Sequence, residues 1–190
     1  MLKNTKIKVG FPTLIFFAVL IFKFDITYFI PFISAFLHEL GHIFVMKMCG
    51  QNINQIKILP FGIDIQKNNS LSSYKDDILI SSAGILVNLS LIILCKTFYK
   101  GHYADFFITS NTILIFINLL PIKSFDGGQI VETLLALKYD LNTADKIIKV
   151  SSFICIFLVG SFAVWLLFNT SYNFTLLFMC IYLFCGIFLK

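Results

Sequence analysis

Two histidines and a glutamate fall within five residues of an apolar run, Ala35-Phe36-Leu37-His38-Glu39-Leu40-Gly41-His42-Ile43-Phe44. On a helix His38 and His42 are one turn apart and share a face, so both imidazoles reach one metal ion. Glu39 lies beside them and can take a proton from a water that the metal acidifies. The chain holds three histidines and two glutamates, and His-Glu-x-x-His arises by chance in such a composition on the order of once in two thousand chains. A catalytic zinc takes three protein ligands and keeps a position for water. The third ligand must come from another segment. Asp126 is the leading candidate because it stands beside Gly127-Gly128 at an expected helix break; Asp64 and Glu132 are the others. Spacing alone leaves a second role open for Asp126, as the cap of the helix that follows it.

These residues sit in a composition that only a membrane readily explains. Of 190 residues, 58% are hydrophobic, 23 are phenylalanine and 13% are charged. That is more apolar surface than a water-soluble core needs, so most of it must face lipid. The net charge of +5 is carried by lysine without any arginine, and the lysines are spread among loops with no aromatic-interleaved patch. This argues against nucleic acid as a partner and for lysine as a topology signal. The five cysteines, Cys49, Cys95, Cys155, Cys180 and Cys185, contain no Cys-x-x-Cys pair and read as small buried apolar groups.

Apolar periodicity divides the chain into about six spans within one domain, at 10–24, 26–48, 78–95, 106–120 continuing to 138, 150–168 and 172–189. The expected fold is an all-α integral membrane protein with one short β-hairpin. Met1 to Lys8 reads as a basic tail, and the first span as a retained helix, since no small-x-small cleavage site follows it. The second span carries the metal motif at mid-depth, and Pro31 would kink its outer third. Ile56 to Ile65 alternates on either side of Pro60-Phe61-Gly62, as two strands around a turn do; such a hairpin near a membrane could offer an edge to an extended peptide. Ser81-Ser82-Ala83-Gly84 and Asn88 in the third span allow close helix approach and interhelical hydrogen bonding. Pro121 and Gly127-Gly128 should break the fourth. His102 falls in a loop, and Tyr139 to Lys149 reads as polar surface. With the N-terminus inside, ten lysines face inward against Lys23, Lys96 and Lys100 outside, which places both termini in the cytosol.

The combination resembles the site-2 protease family of intramembrane zinc metalloproteases over a core of residues 26–138. His38-Glu39-Leu40-Gly41-His42 matches the family's His-Glu-x-x-His. Asn118-x-x-Pro121-x-x-x-x-Asp126-Gly127 matches its Asn-Pro-x-x-Asp-Gly type element, with Leu119 where proline is common. The resemblance implies that Asp126 is the third zinc ligand and that Ile56 to Ile65 is the family's membrane-associated hairpin. It also implies that Gly84 and Asn88 form its Gly-x-x-x-Asn element, and that Asn118 helps to hold substrate. Pro121, Asn88, Pro60, Phe61 and Gly62 complete the expected substrate-contacting set. Six spans are most similar to the stage IV sporulation protein FB-like branch, whose members cleave a sigma-factor precursor at the membrane. That branch commonly carries a C-terminal nucleotide-sensing domain, and none is expected within these residues, which stop just after the sixth span.

The expected function is therefore a zinc endopeptidase in a bacterial cell membrane, acting on a membrane-associated protein and answering to a regulatory membrane protein. Two rival classes fit the same residues. One is a membrane zinc carrier or scaffold, for which Glu39 would be dispensable. The other is a zinc hydrolase acting on lipid-linked peptides.

Overall fold

Pro31 starts a helix rather than bending one. In the computed structural model, which describes residues 6–9, 26–51, 53–59, 62–67, 73–170 and 174–188, a 3-10 turn runs over Ile26–Phe29 and α1 follows from Ile30–Met48 with Pro31 in its first turn. The first turn of a helix has N–H groups without intrahelical acceptors, so a proline there forfeits nothing. The remaining described helices are α2 (Tyr74–Phe98), α3 (His102–Asn118), α4 (Asp126–Ala136), α5 (Leu141–Thr170) and α6 (Phe174–Phe188). The expected first span, at 10–24, lies outside the described residues.

Three strands accompany the six described helices. β1 (Lys6–Val9) pairs in parallel with β2 (Ile53–Leu59), and β2 pairs antiparallel with β3 (Gly62–Lys67), giving the order β1-β2-β3. Leu59 stands opposite Gly62. Pro60 and Phe61 lie outside the described residues, and so does the turn expected there. Residues 6–8, read from sequence as part of a tail, instead form a strand with Val9. Lys-Ile-Lys-Val is a period-2 pattern too short to be distinguished without its partner.

The chain divides into two units, Met1–Ile115 and Phe116–Lys190. In the first, α1 and α2 pack along each other. A Cβ on Gly41 would stand 2.7 Å from Cγ2 of Val87 and 3.1 Å from the Ala83 carbonyl oxygen, so any larger residue would force Val87 or the α2 backbone to shift. α2 starts four residues earlier than its apolar run. Ser73 caps it by accepting from the Lys75 N–H, and Asp76 and Asp77 lie in its first turn, where acidic groups suit the helix dipole. α3 is tied to α1 by Asn111, whose amide donates to Ser34 Oγ at 3.0 Å and to the Phe107 carbonyl at 2.8 Å. His102, expected in a loop, is the exposed first residue of α3.

In the second unit, Ile122, Ile156, Cys180 and Leu183 form a buried cluster. α5 starts nine residues before the span expected at 150. Asp140 is the reason: its carboxylate accepts from the Thr143 N–H and hydroxyl, and its carbonyl accepts from Ala144 N–H. Those bonds hold the Asp140 carboxyl below its ordinary range. A depressed folded value stabilises the folded form above the unfolded pKa and is lost as pH falls through the folded one. Acidification below about pH 4 is therefore expected to fray Leu141–Thr143 before the rest of α5. Faster amide exchange confined to that turn is the check. No disulfide joins the cysteines among the described residues.

Two described helices, Tyr74–Phe98 and Leu141–Asn169, are long and apolar enough to cross a bilayer, and Leu176–Phe188 is a shorter apolar helix. Phe157, Phe162, Trp165 and Phe168 on α5 are exposed, as lipid contact requires. α1 is not among the two; it carries His38, Glu39, His42 and Lys47.

Candidate metal centre

On α1, Ser34, His38 and His42 are spaced by four and are all buried, so the helix carries a polar stripe on its inner face. The two imidazole Nε2 atoms face each other at 3.2 Å. A tetrahedral zinc with Zn–N bonds of 2.0–2.1 Å holds two ring nitrogens about 3.3 Å apart, so the histidine pair already has the spacing of two ligands.

The partners on α2 set what each ring offers. His42 Nδ1 lies 2.7 Å from the Ile80 carbonyl oxygen. A carbonyl only accepts, so Nδ1 carries the proton and a neutral ring leaves Nε2 bare. His38 Nδ1 lies 3.1 Å from the Asn88 amide nitrogen, while Asn88 Oδ1 is buried without a hydrogen-bond partner. Nothing except His38 therefore fixes which end of the amide faces the ring. With the nitrogen inward, His38 keeps a proton on Nε2 and donates it to His42. With the oxygen inward, Nδ1–H is held and both Nε2 lone pairs face one point, which only a cation makes favourable. An amide serves both states, whereas a carbonyl or carboxylate serves only the second.

Gly84 gives the rings room. A Cβ there would come within 2.5 Å of His38 Nε2 and Cε1 and of His42 Nε2. Gly84 and Asn88 are one turn apart on α2, so one face of that helix provides both the clearance and the tautomer control. Asn88, expected to contact substrate, is fully buried against His38.

In the second unit Asp126 is buried at the first position of α4. It does not cap that helix. Phe125 is the cap residue, without a side-chain bond, and the acidic side chain stands one position further on, at the positive end of the dipole. The glycines after it are required by packing. A Cβ on Gly127 would run into the Leu119 carbonyl and one on Gly128 into the Ile122 carbonyl. The first turn of α4 is thereby seated directly on the backbone of the break. Asn118 ends α3 half-buried, and Pro121 lies in that break.

Among the described residues, one group of metal-ligating side chains could hold an ion: His38, His42 and Asp126, all three buried. Two nitrogens and a carboxylate oxygen suit zinc. Of the other candidates, Glu132 pairs with Lys123 Nζ at 3.5 Å, and Asp64 lies on β3 with its Cα opposite that of Lys57. Glu39 is half-buried on α1 beside the pair. Sequence reasoning missed Asn111 and Ser34; an amide in an apolar helix, and a serine four residues before His38, were the available signals.

No family model matches the chain. A Methanocaldococcus jannaschii protein named as a zinc metalloprotease is 31% identical over 124 residues, 61% of this chain and 36% of its own length. Stage IV sporulation protein FB of Bacillus subtilis is 26% identical over 140 residues, 70% of this chain and 47% of its own. The chain thus spans between a third and a half of the length of these curated relatives. The solved site-2 protease of Methanocaldococcus jannaschii superposes with a TM-score of 0.66 at 26% identity, covering 97% of this chain and 89% of that one. Agreement with that structure over nearly the whole of both chains makes this chain similar in fold to a site-2 protease, and it carries a buried His/His/Asp group that could hold a metal ion.

Proposed function

We propose that this chain is a zinc endopeptidase that hydrolyses a peptide bond of a membrane-embedded or membrane-associated protein. His38, His42 and Asp126 hold the zinc, and Glu39 is the general base. The observation that carries the reading is the histidine pair: Nε2 atoms 3.2 Å apart, with His42 Nδ1 on a carbonyl and His38 Nδ1 on an amide. Relatives named as a zinc metalloprotease and a site-2 protease support it.

Bound zinc supplies Lewis acidity, which makes water nucleophilic near neutral pH and polarises the scissile carbonyl. The chain's own groups do the rest. Ile80 and Asn88 keep the ligand nitrogens pointed inward. Glu39 takes the proton of the attacking water and gives it to the leaving amine. A helical amide is shielded from attack, so the substrate segment must be extended there. Asn118 and Pro121 at the α3–α4 break, and Pro60, Phe61 and Gly62 of the turn expected from sequence, are where it docks. Asn88 we assign to ligand support instead of substrate contact. A sigma-factor precursor is the specific substrate that the sequence resemblance implies, a relative named as a sporulation protein supports that context, and lysine distribution supports cytosolic termini.

The test compares membrane-protein fragments from cells carrying the wild-type chain with those carrying His38→Ala or Asp126→Ala. Both variants should lose the same fragments and accumulate the same uncut precursors. Identical fragment profiles in all three strains, in growth and in sporulation, would overturn the proposal.

A further inference from the structure

The break between α3 and α4 leaves backbone groups that its own turns do not satisfy, and lipid offers no water to satisfy them. Internal bonds account for several: Ile122 N–H donates to the Leu120 carbonyl and Phe125 N–H to the Ile122 carbonyl, each at 2.8 Å. Two further groups are taken by adjacent hydroxyls on α5. Ser151 donates to the Pro121 carbonyl at 3.1 Å, and the Lys123 N–H donates to Ser152 Oγ at 2.8 Å. Ser152 passes its own proton to the Ile148 carbonyl at 2.6 Å and is fully buried. Lys123 is also held by its side chain, whose ammonium pairs with Asp145 on α5 and Glu132 on α4.

One peptide plane joins this latch to the proposed ligand. The Ile122–Lys123 peptide presents its N–H to Ser152 and its carbonyl to Gly128, where a Cβ would overlap that oxygen. Turning this rigid plane therefore turns the first turn of α4, which begins with Asp126. We propose that Ser152 is a positioning residue for Asp126, its hydroxyl setting the Ile122–Lys123 peptide against which the Asp126-Gly127-Gly128 turn is seated, with Ser151 as the auxiliary contact. The inference rests on the reading of Asp126 as a zinc ligand. It differs from the usual role of such residues: Ser82, Ser90, Thr112 and Ser161 bond only the carbonyl four residues back in their own helices.

The experiment uses the full chain in bicelles, with zinc affinity read by chelator competition and geometry by the visible bands of the cobalt-substituted protein. Ser152→Ala should weaken zinc binding about 10- to 100-fold, the range for lost outer supports of metal ligands, and shift the cobalt bands while the thermal melt stays cooperative. In metal-free protein the Lys123 and Phe125 amides should exchange faster. Ser152→Thr keeps the hydroxyl and should recover both. Wild-type affinity and bands in Ser152→Ala overturn the inference, as does a loss that threonine fails to restore. Should Ser152→Ala not fold, Ser151→Ala takes its place, with a few-fold weakening expected and none overturning. Failure of the zinc reading is separately visible, as wild-type protein that binds no zinc or His38→Ala that binds it normally. That result would overturn this inference too, whereas a zinc-loaded wild type with an indifferent serine variant overturns the inference alone.

Discussion

Glu39→Gln is expected to retain zinc at the wild-type level and to cut its substrate 10²- to 10⁴-fold more slowly, the range that a positioned general base supplies. Glutamine has nearly the same shape, and the proposed ligands His38 and His42 keep their α2 partners. What is lost is an oxygen able to take a proton. The readout is single-turnover cleavage of a precursor recovered from the fragment comparison, with zinc content measured on the same sample. Slowed cleavage with zinc in place separates chemistry from binding. A membrane zinc carrier built on the same residues would need the imidazoles but not the carboxylate, so its transport would survive Glu39→Gln and fail in His38→Ala. Undiminished cleavage by zinc-loaded Glu39→Gln would remove Glu39 from the mechanism.

Gly84→Ala should have the opposite signature for its size, since one methyl group is expected to abolish stoichiometric zinc. The added carbon would stand 2.5 Å from Nε2 of both His38 and His42, closer than any Cβ tolerates. Either α2 withdraws from α1 or the imidazoles rotate away, and each outcome takes the nitrogens off a common point. Overpacking of this kind costs about 1–3 kcal/mol, against a gain of about 1 kcal/mol from replacing a helical glycine by alanine. The protein should therefore remain folded while affinity falls by at least about 100-fold, or 2.7 kcal/mol. Gly160→Ala on α5, where a Cβ meets nothing within 4 Å, is the control and should leave zinc unchanged. Equal zinc binding by the two variants would mean that the space beside Gly84 does not serve the ligands.

The metal motif was legible in the sequence because its residue types are scarce in this chain and their spacing has one common physical cause. Asn88 and Gly84 stood out as an amide and a small residue in an apolar helix, yet their facing partner could not be read, since spacing along one helix says nothing of the neighbour across the groove. Ser152 carried no signal. Serine in an apolar helix ordinarily bonds its own backbone, and only the break folded against α5 gives it a second partner. Pro31 was read as a kink because periodicity ran on both sides of it, although the regular helix begins only at Ile30. The start of α5 was hidden under polar residues, where Asp140 and Thr143 were the overlooked cap. Residues 6–9 gained their strand from β2, a contact across some fifty positions that no local pattern encodes.

The stripe of Ser34, His38 and His42 also bears on how the protein is made. Nineteen residues holding two imidazoles, a carboxylate and a lysine partition poorly from the translocon into lipid by themselves. The groups that shelter them, the Ile80 carbonyl, the cleft at Gly84 and the Asn88 amide, are supplied by the next helix to be synthesised. Partition of α1 into lipid is therefore expected to be favourable only once α2 is there to cover the stripe, so that entry of the two as a pair would also assemble the histidines.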